Sequence, residues 1–346
     1  MKAVSLYGIG DLRREEVRKP EAAAGDILIK VKATALCGTD VRMYLNGAAG
    51  IDDEHPRIIG HEISGIIEEA GECVHGYKPG MRVCVAPNFG CGVCDACISG
   101  RTHLCSTYQA LGINLDGGLA EYVKVPAQAV AQGNVAVIPD HVSFEEAAIV
   151  EPLSCVYNGQ EQVRIRPGDK VLVIGAGPIG VMHAMMAKMQ GAGKVMMNDL
   201  SQERLNACRE IDETIIAVSS EGLKEQVAEL TGGKGLDVCI VACPAPQAQT
   251  MAVELMGLSG RVLFFGGLPA SRQPVPIDTN LVHYKQLSLH GSARSSLSQY
   301  RKVLELVQSG KLDLKKIITA TYELDQTMKA FEAAKNAVGM KHVIVF

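Results

Sequence analysis

The sequence contains no tryptophan, and aromatic residues make up only 4% of its 346 residues. Apolar residues nevertheless reach 47%, and charged residues 21%, which is typical of a globular protein and not of a disordered chain. Because bulky rings are scarce, we expect the core to consist of aliphatic, methionine and alanine side chains.

Long apolar runs and blocks of like charge are missing as well. No segment approaches the roughly 20 apolar residues of a membrane span, and the N-terminal segment MKAVSLYGIGDLRREE has no apolar core of the signal-peptide type. With 34 basic against 38 acidic residues and no basic cluster, a nucleic-acid or anionic-membrane surface is not expected. We therefore expect a cytoplasmic protein whose partners are small molecules.

Cysteine, in contrast, is plentiful, with 11 residues. In a chain without an export signal these are expected to be reduced thiols, metal ligands or buried apolar residues, and an odd number cannot all pair in disulfides. Four of them fall within a short glycine-rich segment and the rest are scattered, so their positions are more informative than their number.

The chain length, and a change in the pattern of apolar segments along the chain, predict two domains. Up to about residue 155, short apolar runs alternate with Gly, Pro and Asp, which indicates a β-rich domain. From Arg166 onward the order is strand, helix, strand, helix, beginning with the continuous apolar strand in RPGDKVLVIGAG. That alternation is typical of a doubly wound parallel sheet. The tail after about Gly291 returns to helices and ends in a strand, KHVIVF.

A glycine fingerprint, Gly175-Ala-Gly177-Pro-Ile-Gly180, joins the first of these strands to its helix. The three glycines allow a tight turn, a close approach of pyrophosphate, and helix–strand packing, while the helix N-terminus attracts phosphate. Asp199 ends the next strand, where a carboxylate can bind both ribose hydroxyls and repel a 2′-phosphate, so NAD is favoured over NADP. The alternative is a turn without nucleotide and a solvated Asp199.

Four closely spaced cysteines, Cys91, Cys94, Cys97 and Cys105, suit a closed tetrahedral zinc site with a structural role. Cysteine spacing alone does not choose the metal, and an iron–sulfur cluster is the rival interpretation.

A second, scattered set has the ligand types of a catalytic zinc: Cys37 with the hydroxyl of Thr39 nearby, then His61-Glu62, then Glu151. No local spacing rule links these segments. From the residues alone, a second metal and a set of ordinary core and surface side chains both stay open.

Taken in order, the motifs CGTD, GHE, CGVCDACISGRTHLC, DGGLAEYV, EPLSC and VLVIGAGPIG resemble the zinc-containing medium-chain dehydrogenase/reductases. The block VSFEEAAIVEPLSCVYNG is most similar to the polyol branch, typified by sorbitol (L-iditol) 2-dehydrogenase. The resemblance covers essentially the whole chain. It implies an α/β fold with a GroES-like β-rich catalytic domain (1–156 and 292–346) and a Rossmann NAD-binding domain (157–291).

The resemblance also implies two zincs per chain and a role for individual residues. Cys37, His61 and Glu62 match the catalytic-zinc ligands, and Glu151 matches a carboxylate that ligates that metal or holds its water. Thr39 matches the hydroxyl that starts the proton path, and Arg294 matches an arginine that reaches substrate hydroxyls. The structural zinc lobe is matched by Cys91, Cys94, Cys97 and Cys105.

For the NAD site the resemblance adds residues beyond the fingerprint. Asp199 matches the ribose carboxylate, and Arg204 matches an arginine near the adenosine. The remaining matches are turn and strand-end residues near the pyrophosphate and nicotinamide: Pro178, Ile179, Gly266, Gly267, Leu268, Ser292 and Ala293.

Two positions depart from the family pattern. Arg42 stands where a histidine often passes the proton to solvent, and a guanidinium cannot give up its proton. Asp212 stands where a glycine usually ends a helix in left-handed geometry. We expect a proton path through Thr39 and ribose hydroxyls or water, and a local irregularity at Asp212.

The predicted activity is oxidation of a secondary alcohol of a polyol to a ketone, with hydride transfer to NAD. Alternatives are an L-threonine 3-dehydrogenase, a sugar-alcohol-phosphate dehydrogenase that uses Arg101, Arg272 or Lys285 for phosphate, and a non-enzymatic NAD-binding relative. A homotetramer or homodimer is expected, with the apolar segment LVHYKQLSLHG pairing as a strand across a two-fold axis.

Overall fold

The computed structural model describes residues 1–269 and 274–346. The chain divides into one unit formed by Met1–Ser154 with Ser295–Phe346 and a second formed by Cys155–Arg294. The boundaries expected from the sequence, 156/157 and 291/292, lie close to these divisions.

The elements are numbered in chain order within the described residues. The strands are β1 (Lys2–Gly8), β2 (Asp11–Glu16), β3 (Ile27–Ala35), β4 (Arg57–Ile58), β5 (Glu62–Ala70), β6 (Arg82–Val85), β7 (Asn88–Phe89), β8 (Gln109–Ala110), β9 (Tyr122–Val125), β10 (Val135–Val137), β11 (Lys170–Ile174), β12 (Lys194–Asn198), β13 (Ile216–Val218), β14 (Leu236–Val241), β15 (Met256–Phe264), β16 (Ser288–Gly291), β17 (Ile318–Glu323) and β18 (Lys341–Val345). The helices are α1 (Gly38–Asn46), α2 (Asp95–Ile98), α3 (Ala127–Gln132), α4 (Phe144–Ala148), α5 (Val150–Val163), α6 (Pro178–Met189), α7 (Gln202–Ile211), α8 (Leu223–Thr231), α9 (Pro246–Glu254), α10 (Thr279–Tyr284), α11 (Leu297–Gln308) and α12 (Thr327–Lys335).

The first unit is built around β3, whose residues are buried on both faces over most of its length. This strand pairs antiparallel with β5, β9 and β18 inside a sheet of order β10-β6-β5-β3-β18-β17. A smaller sheet, β2-β1-β4, and the hairpin-like pair β7-β8 complete the strands of this unit. The last strand of the chain therefore lies beside the segment that carries Cys37.

The second unit contains a six-stranded parallel sheet of order β13-β12-β11-β14-β15-β16. Counted from β11, this is the order 3-2-1-4-5-6 of a doubly wound dinucleotide-binding sheet. The central strand β11 has four consecutive buried residues, as expected where helices cover both faces of a parallel sheet. The predicted α/β fold class is confirmed, and the methionines Met182, Met186 and Met196 lie in its core, each fully buried.

One local expectation was wrong. The segment LVHYKQLSLHG is not one strand, because its first half forms α10 and only Ser288–Gly291 pairs, as the edge strand β16. Asp212, where we expected a local irregularity, ends α7 with φ −151° and ψ 104°, an extended geometry in place of the left-handed one that is usual in the family pattern. Its carboxylate instead forms an ion pair with Lys188 on α6, so α7 ends by a side-chain contact to the neighbouring helix.

None of the helices in the described ranges combines the length and apolar character that crossing a lipid bilayer requires.

Candidate metal centres and cofactor site

The four clustered cysteines converge in space, as a closed metal site requires. The sulfurs of Cys91, Cys94, Cys97 and Cys105 all lie within 4.8 Å of one another. Gly90 closes one side of the cluster, because a Cβ at this position would come within 2.4 Å of the Cys97 sulfur. The donor set of four thiols at this separation fits a tetrahedral zinc site with no open position.

Hydrogen bonds from backbone amides stabilise the thiolate form of two of these cysteines. The amide of Cys91 donates to the Cys105 sulfur over 3.3 Å, and with the Thr107 hydroxyl it lowers the pKa of Cys105 to about 6. Amides of Val93 and Cys94 lower the pKa of Cys91. Burial instead raises the pKa of Cys97 to about 12, so this thiol needs a cation beside it to ionise at neutral pH.

The scattered second set also comes together, in the first unit. Ligand atoms of Cys37, His61 and Glu62 lie within 4.8 Å of one another. The antiparallel pairing of β3 and β5 is responsible, since it sets Ala35 opposite Glu62 and so brings Cys37, two residues later, next to His61. A thiol, an imidazole and a carboxylate, with no fourth ligand atom converging on them from the described residues, are the donor set of a catalytic zinc.

Asp40 organises this site, and the sequence analysis did not include it among the site residues. The fully buried carboxylate of Asp40 accepts hydrogen bonds from the amides of Cys37 (2.9 Å) and Gly60 (3.2 Å), and lies 3.4 Å from Nδ1 of His61. Burial lowers the pKa of His61, but the interactions with Asp40 and Cys37 raise it by more, so the pKa lies well above its usual value. A carboxylate at Nδ1 directs Nε2 toward a metal.

Gly60 shows why the chain needs glycine beside the ligands. Its φ is +90°, and a Cβ would come within 2.8 Å of the Thr34 side chain and 2.9 Å of Leu119. Only glycine allows this turn to pack against the sheet while presenting His61 to Cys37.

Glu62 is fully buried and pairs with Lys341 from the last strand. Both carboxylate oxygens contact the Lys341 ammonium: Oε1 accepts a hydrogen bond of 2.7 Å from Nζ, and Oε2 lies 2.5 Å from the same nitrogen. Burial raises the pKa of Glu62 to about 7, against the lowering effect of Lys341. A buried carboxylate whose oxygen lies within 4.8 Å of a thiol and an imidazole fits a metal ligand.

Glu151 and Thr39 lie in the same unit but in different positions relative to the three ligands. Glu151, near the start of α5, is buried, and its charge raises the pKa of Glu62, yet it is outside the group of converging ligand atoms. Thr39 is half-buried in the first turn of α1, and its hydroxyl accepts a hydrogen bond of 3.1 Å from Arg42. Direct ligation by Glu151 is therefore not what this arrangement favours.

The glycine fingerprint has the geometry of a phosphate-binding turn in the second unit. Gly175 has φ +109°, and a Cβ on Gly180 would overlap the Gly175 carbonyl oxygen at 1.8 Å. Gly177 is the N-cap of α6, followed by Pro178 at the first helical position and by Ile179, and its Cβ would meet nothing closer than 3.8 Å. The backbone thus leaves room in front of the helix N-terminus, where pyrophosphate binds.

Asp199 follows β12 at the same edge of the sheet. Its carboxylate accepts hydrogen bonds from the amides of Ala176 (2.7 Å) and Ser201 (2.8 Å), and Arg204 Nη1 lies 3.9 Å away. The amides fix the carboxylate beside the fingerprint turn, where the ribose of a dinucleotide would lie.

The predicted nicotinamide residues follow β15 and β16, which end side by side at Phe264 and Gly291. Gly266 is packed against the Cys243 backbone, while Gly267 is exposed and Leu268 half-buried. The Ser292 hydroxyl is buried without a hydrogen bond among the described residues, and the Ala293 carbonyl accepts a 3.4 Å hydrogen bond from Asn158. These segments and the fingerprint share the carboxyl edge of the sheet, where dinucleotides bind in folds of this order.

The remaining predicted contacts have other environments. Arg294 has φ +56°, the left-handed region that favours glycine, and its carbonyl accepts a hydrogen bond of 2.9 Å from Asn158. Arg101 donates to Ser99 and Lys285 donates to the Met256 carbonyl, whereas Arg272 lies outside the described residues.

Comparison with known proteins decides the family. Residues 23–140 match the alcohol dehydrogenase GroES-like domain, and residues 178–309 match the zinc-binding dehydrogenase domain. Sorbitol dehydrogenase of Bacillus subtilis (strain 168) is 33% identical over 96% of this chain and 93% of its own length. The chain belongs to the zinc-binding dehydrogenases. The family relationship that the motifs predicted is thereby confirmed.

Other zinc-binding dehydrogenases match nearly as completely. L-threonine 3-dehydrogenase of Vibrio parahaemolyticus serotype O3:K6 is 35% identical over 95% of this chain and 94% of its own. Among solved structures, an alcohol dehydrogenase (rspB) from E. coli CFT073 complexed with NADH has a TM-score of 0.90 at 29% identity, covering 100% of this chain and 99% of that one. A zinc-binding dehydrogenase from Sinorhizobium meliloti 1021 bound to NADP has a TM-score of 0.91 at 28% identity, with the same coverage. The protein is thus an oxidoreductase of the zinc-dependent alcohol dehydrogenase type, and NAD(P) and zinc are its family's cofactors.

Proposed function

We propose that the protein oxidises a secondary alcohol of an unphosphorylated polyol to a ketone and transfers the hydride to NAD. The observation that carries the proposal is the convergence of Cys37, His61 and Glu62 in one buried group. Three converging ligands, with no fourth in the part of the chain that the structure describes, leave a position for substrate, which distinguishes a catalytic from a structural zinc site.

The bound groups supply chemistry that side chains lack. Zinc, held by Cys37, His61 and Glu62, would act as a Lewis acid that lowers the pKa of an alcohol, and NAD would accept the hydride. The protein residues orient these groups. Asp40 holds the Cys37 and His61 segments together through its amide contacts, and we assign Glu151 to a water near the site and not to the metal itself.

Thr39 is the residue that we propose as the first proton carrier. Arg42 donates a hydrogen bond to Thr39 Oγ1. A hydroxyl oxygen has two lone pairs, so the second one stays free to accept a hydrogen bond from the substrate hydroxyl. The Thr39 proton must then pass to a ribose hydroxyl or to water, since Arg42 cannot take it.

The polyol assignment rests on likeness and not on a substrate contact. Sorbitol dehydrogenases from two organisms match this chain over nearly its whole length. The role of Arg294 toward substrate hydroxyls stays a prediction from the family pattern. Two cations that could hold a substrate phosphate already have partners, Arg101 with the Ser99 hydroxyl and Lys285 with the Met256 carbonyl of β15, so an unphosphorylated substrate is the better-supported choice.

We propose NAD over NADP because the Asp199 carboxylate, fixed by two amides, would repel a 2′-phosphate. We also propose a cytoplasmic homodimer or homotetramer. All 11 cysteines are free thiols, which suits a reducing compartment, and the edge strand β16 carries the part-exposed Leu289 and can pair with its copy across a two-fold axis.

L-Threonine 3-dehydrogenase is the second candidate. The relatives with this activity are 35% identical, slightly more than the 33% of the sorbitol dehydrogenases, over a similar share of the chain. Threonine also carries a secondary alcohol, so the same metal and cofactor chemistry applies to it.

A substrate panel separates these candidates. NADH formation is followed at fixed NAD with sorbitol, xylitol, L-iditol, galactitol, inositols, L-threonine and polyol phosphates. Turnover on a free polyol is the expected result. Activity confined to threonine, or to a phosphate ester, would overturn the polyol assignment while leaving the zinc-dependent chemistry in place.

A further inference from the structure

Lys341 is a buried lysine with three polar contacts at the second metal group. It lies in β18, is 4% exposed, and donates from Nζ to Glu62 Oε1 and to the Leu36 carbonyl, both over 2.7 Å. Its nitrogen is also 2.5 Å from Glu62 Oε2. These three contacts therefore fix the position of the ammonium group beside Glu62 and Leu36.

Those contacts connect two ligand segments. Leu36 immediately precedes Cys37, and Glu62 immediately follows His61, so one ammonium holds the backbone of the thiol ligand and the carboxylate ligand together. The register supports this position, because β18 pairs with β3 at Val343 and Ala35. Lys341 can occupy it only because the end of the chain returns to the central sheet.

The ammonium and a metal ion bind the same carboxylate. Both oxygens of Glu62 face Nζ within 2.7 Å, while a Glu62 oxygen is also within 4.8 Å of the Cys37 and His61 ligand atoms. When an ammonium group and a metal ion share one carboxylate, each cation weakens the attraction between the carboxylate and the other cation. Removing the ammonium would also make the buried ligand set more negative by one charge, which favours a divalent cation.

We propose that Lys341 is a positioning residue that competes with the metal for the Glu62 carboxylate. The lysine keeps this metal exchangeable, and it keeps Glu62 from neutralising the metal fully. The inference rests on the proposed function in one respect, namely that Cys37, His61 and Glu62 hold the catalytic zinc.

The test measures zinc release from the intact protein, without substrate. The zinc-loaded wild type and the zinc-loaded Lys341→Met variant are each mixed with a chromogenic chelator. The rate at which the zinc of the Cys37, His61 and Glu62 site is released is recorded. We expect release from Lys341→Met to be about 10 to 100 times slower, the range by which outer contacts change metal affinity. The zinc of the four-cysteine lobe should leave at the same rate in both proteins and serves as the internal reference.

Cobalt substitution gives a second readout. The visible bands of Co²⁺ in the labile site should change in Lys341→Met, because the carboxylate binds the metal more closely, and should return toward the wild-type spectrum in Lys341→Arg, which retains the cation. In a Glu62→Gln background, adding Lys341→Met should slow zinc release much less than it does in the wild type, since no charged carboxylate is left to share and only the loss of the nearby positive charge remains.

Folding is checked by thermal unfolding of each variant. If Lys341→Met does not fold, Lys341→Gln is used, because its amide can still donate to the Leu36 carbonyl without a charge. Equal or faster zinc release from a folded, uncharged variant would overturn the inference. A wild type that binds only the zinc of the four-cysteine lobe would instead overturn the proposed function.

Discussion

Asp199 connects a single carboxylate to the choice of cofactor. Two amides hold it beside the fingerprint turn, and Arg204, 3.9 Å away, offsets only part of its charge. Because structural relatives bind either NADH or NADP, this choice depends on local residues and not on the fold. We expect Asp199 to be the main residue that excludes the 2′-phosphate.

Substitution of Asp199 should therefore change cofactor preference. In Asp199→Ser, kcat/KM for NAD should fall at least about tenfold, and kcat/KM for NADP should rise, because Arg204 loses its carboxylate partner. Steady-state kinetics with both cofactors measure this. Glu203→Ser removes the same charge nearby and should leave the ratio unchanged; an unaltered ratio in Asp199→Ser would remove this carboxylate from cofactor selection.

His183, in α6, is a buried titratable group outside the proposed chemistry. Its Nδ1 accepts a hydrogen bond of 3.2 Å from Gln160 Nε2, since the same amide nitrogen also donates to the His183 carbonyl over 2.7 Å. Burial lowers the pKa of His183 to about 3. The folded protein thus holds a neutral imidazole at neutral pH.

This pKa sets the sign of a pH effect on stability. Between pH 3 and the unfolded value of about 6.5, the unfolded state binds one more proton, so the stabilising contribution of His183 is complete above that window and falls as pH falls, by about 1.4 kcal/mol per unit. Denaturant unfolding at several pH values should show a smaller acid loss in His183→Gln than in the wild type. The exposed His75→Gln is the control, and parallel curves for all three proteins would contradict the prediction.

At the scale of elements, the residue Ala337, just after α12, has a strained backbone conformation that costs free energy of folding. Ala337 has φ +59°, and the amides of Ala337 and Val338 donate to the carbonyls of Ala334 (3.2 Å) and Ala333 (3.0 Å). This is a helix end with a left-handed residue, a position that favours glycine. The side chain of Ala337 is exposed, so removing its methyl group loses no packing.

Ala337→Gly should therefore raise the free energy of unfolding by about 0.5 to 1 kcal/mol, with turnover unchanged. Ala334→Gly, inside the same helix, should lower it by a similar amount, because glycine is unfavourable there. Denaturant titration distinguishes the two signs. A loss of stability in Ala337→Gly would show that strain is not what this residue contributes.

How well the elements could be predicted depended on how much of their signal is local. Strand β11 and helix α6 have continuous apolar and glycine patterns, and their positions could be predicted from the sequence. The segment 281–291 could not, because Leu281 and Val282 pack as a short helix against the core while only the last residues reach the sheet edge. At the end of α7 the sequence predicted an irregularity but not its extended geometry, because Asp212 pairs with Lys188 on another helix.

The same distinction holds for the site at the scale of the whole molecule. The four-cysteine cluster is local, and its spacing alone predicted a metal site. Cys37 and His61 come together through the β3–β5 register, which the residues alone left open and only the family resemblance supplied. Lys341 was missed because it is 279 residues from Glu62 and no local motif marks it.

At the scale of the whole molecule, we propose that the chain holds two zincs and that only the one at Cys37, His61 and Glu62 is needed for chemistry. Cys97→Ser should lose the zinc of the lobe together with thermal stability, because a buried structural site contributes to folding. Cys37→Ser should instead lose the second zinc while its melting temperature stays near that of the wild type.

The most direct measurement is the zinc content of wild type, Cys37→Ser and Cys97→Ser, taken together with NADH formation on the best polyol of the panel. We predict about two zincs per chain in the wild type and about one in Cys37→Ser, with turnover reduced at least about a thousandfold in a folded Cys37→Ser protein. A Cys37→Ser variant that retains both zincs, or that turns over substrate like the wild type, would contradict the assignment of this site.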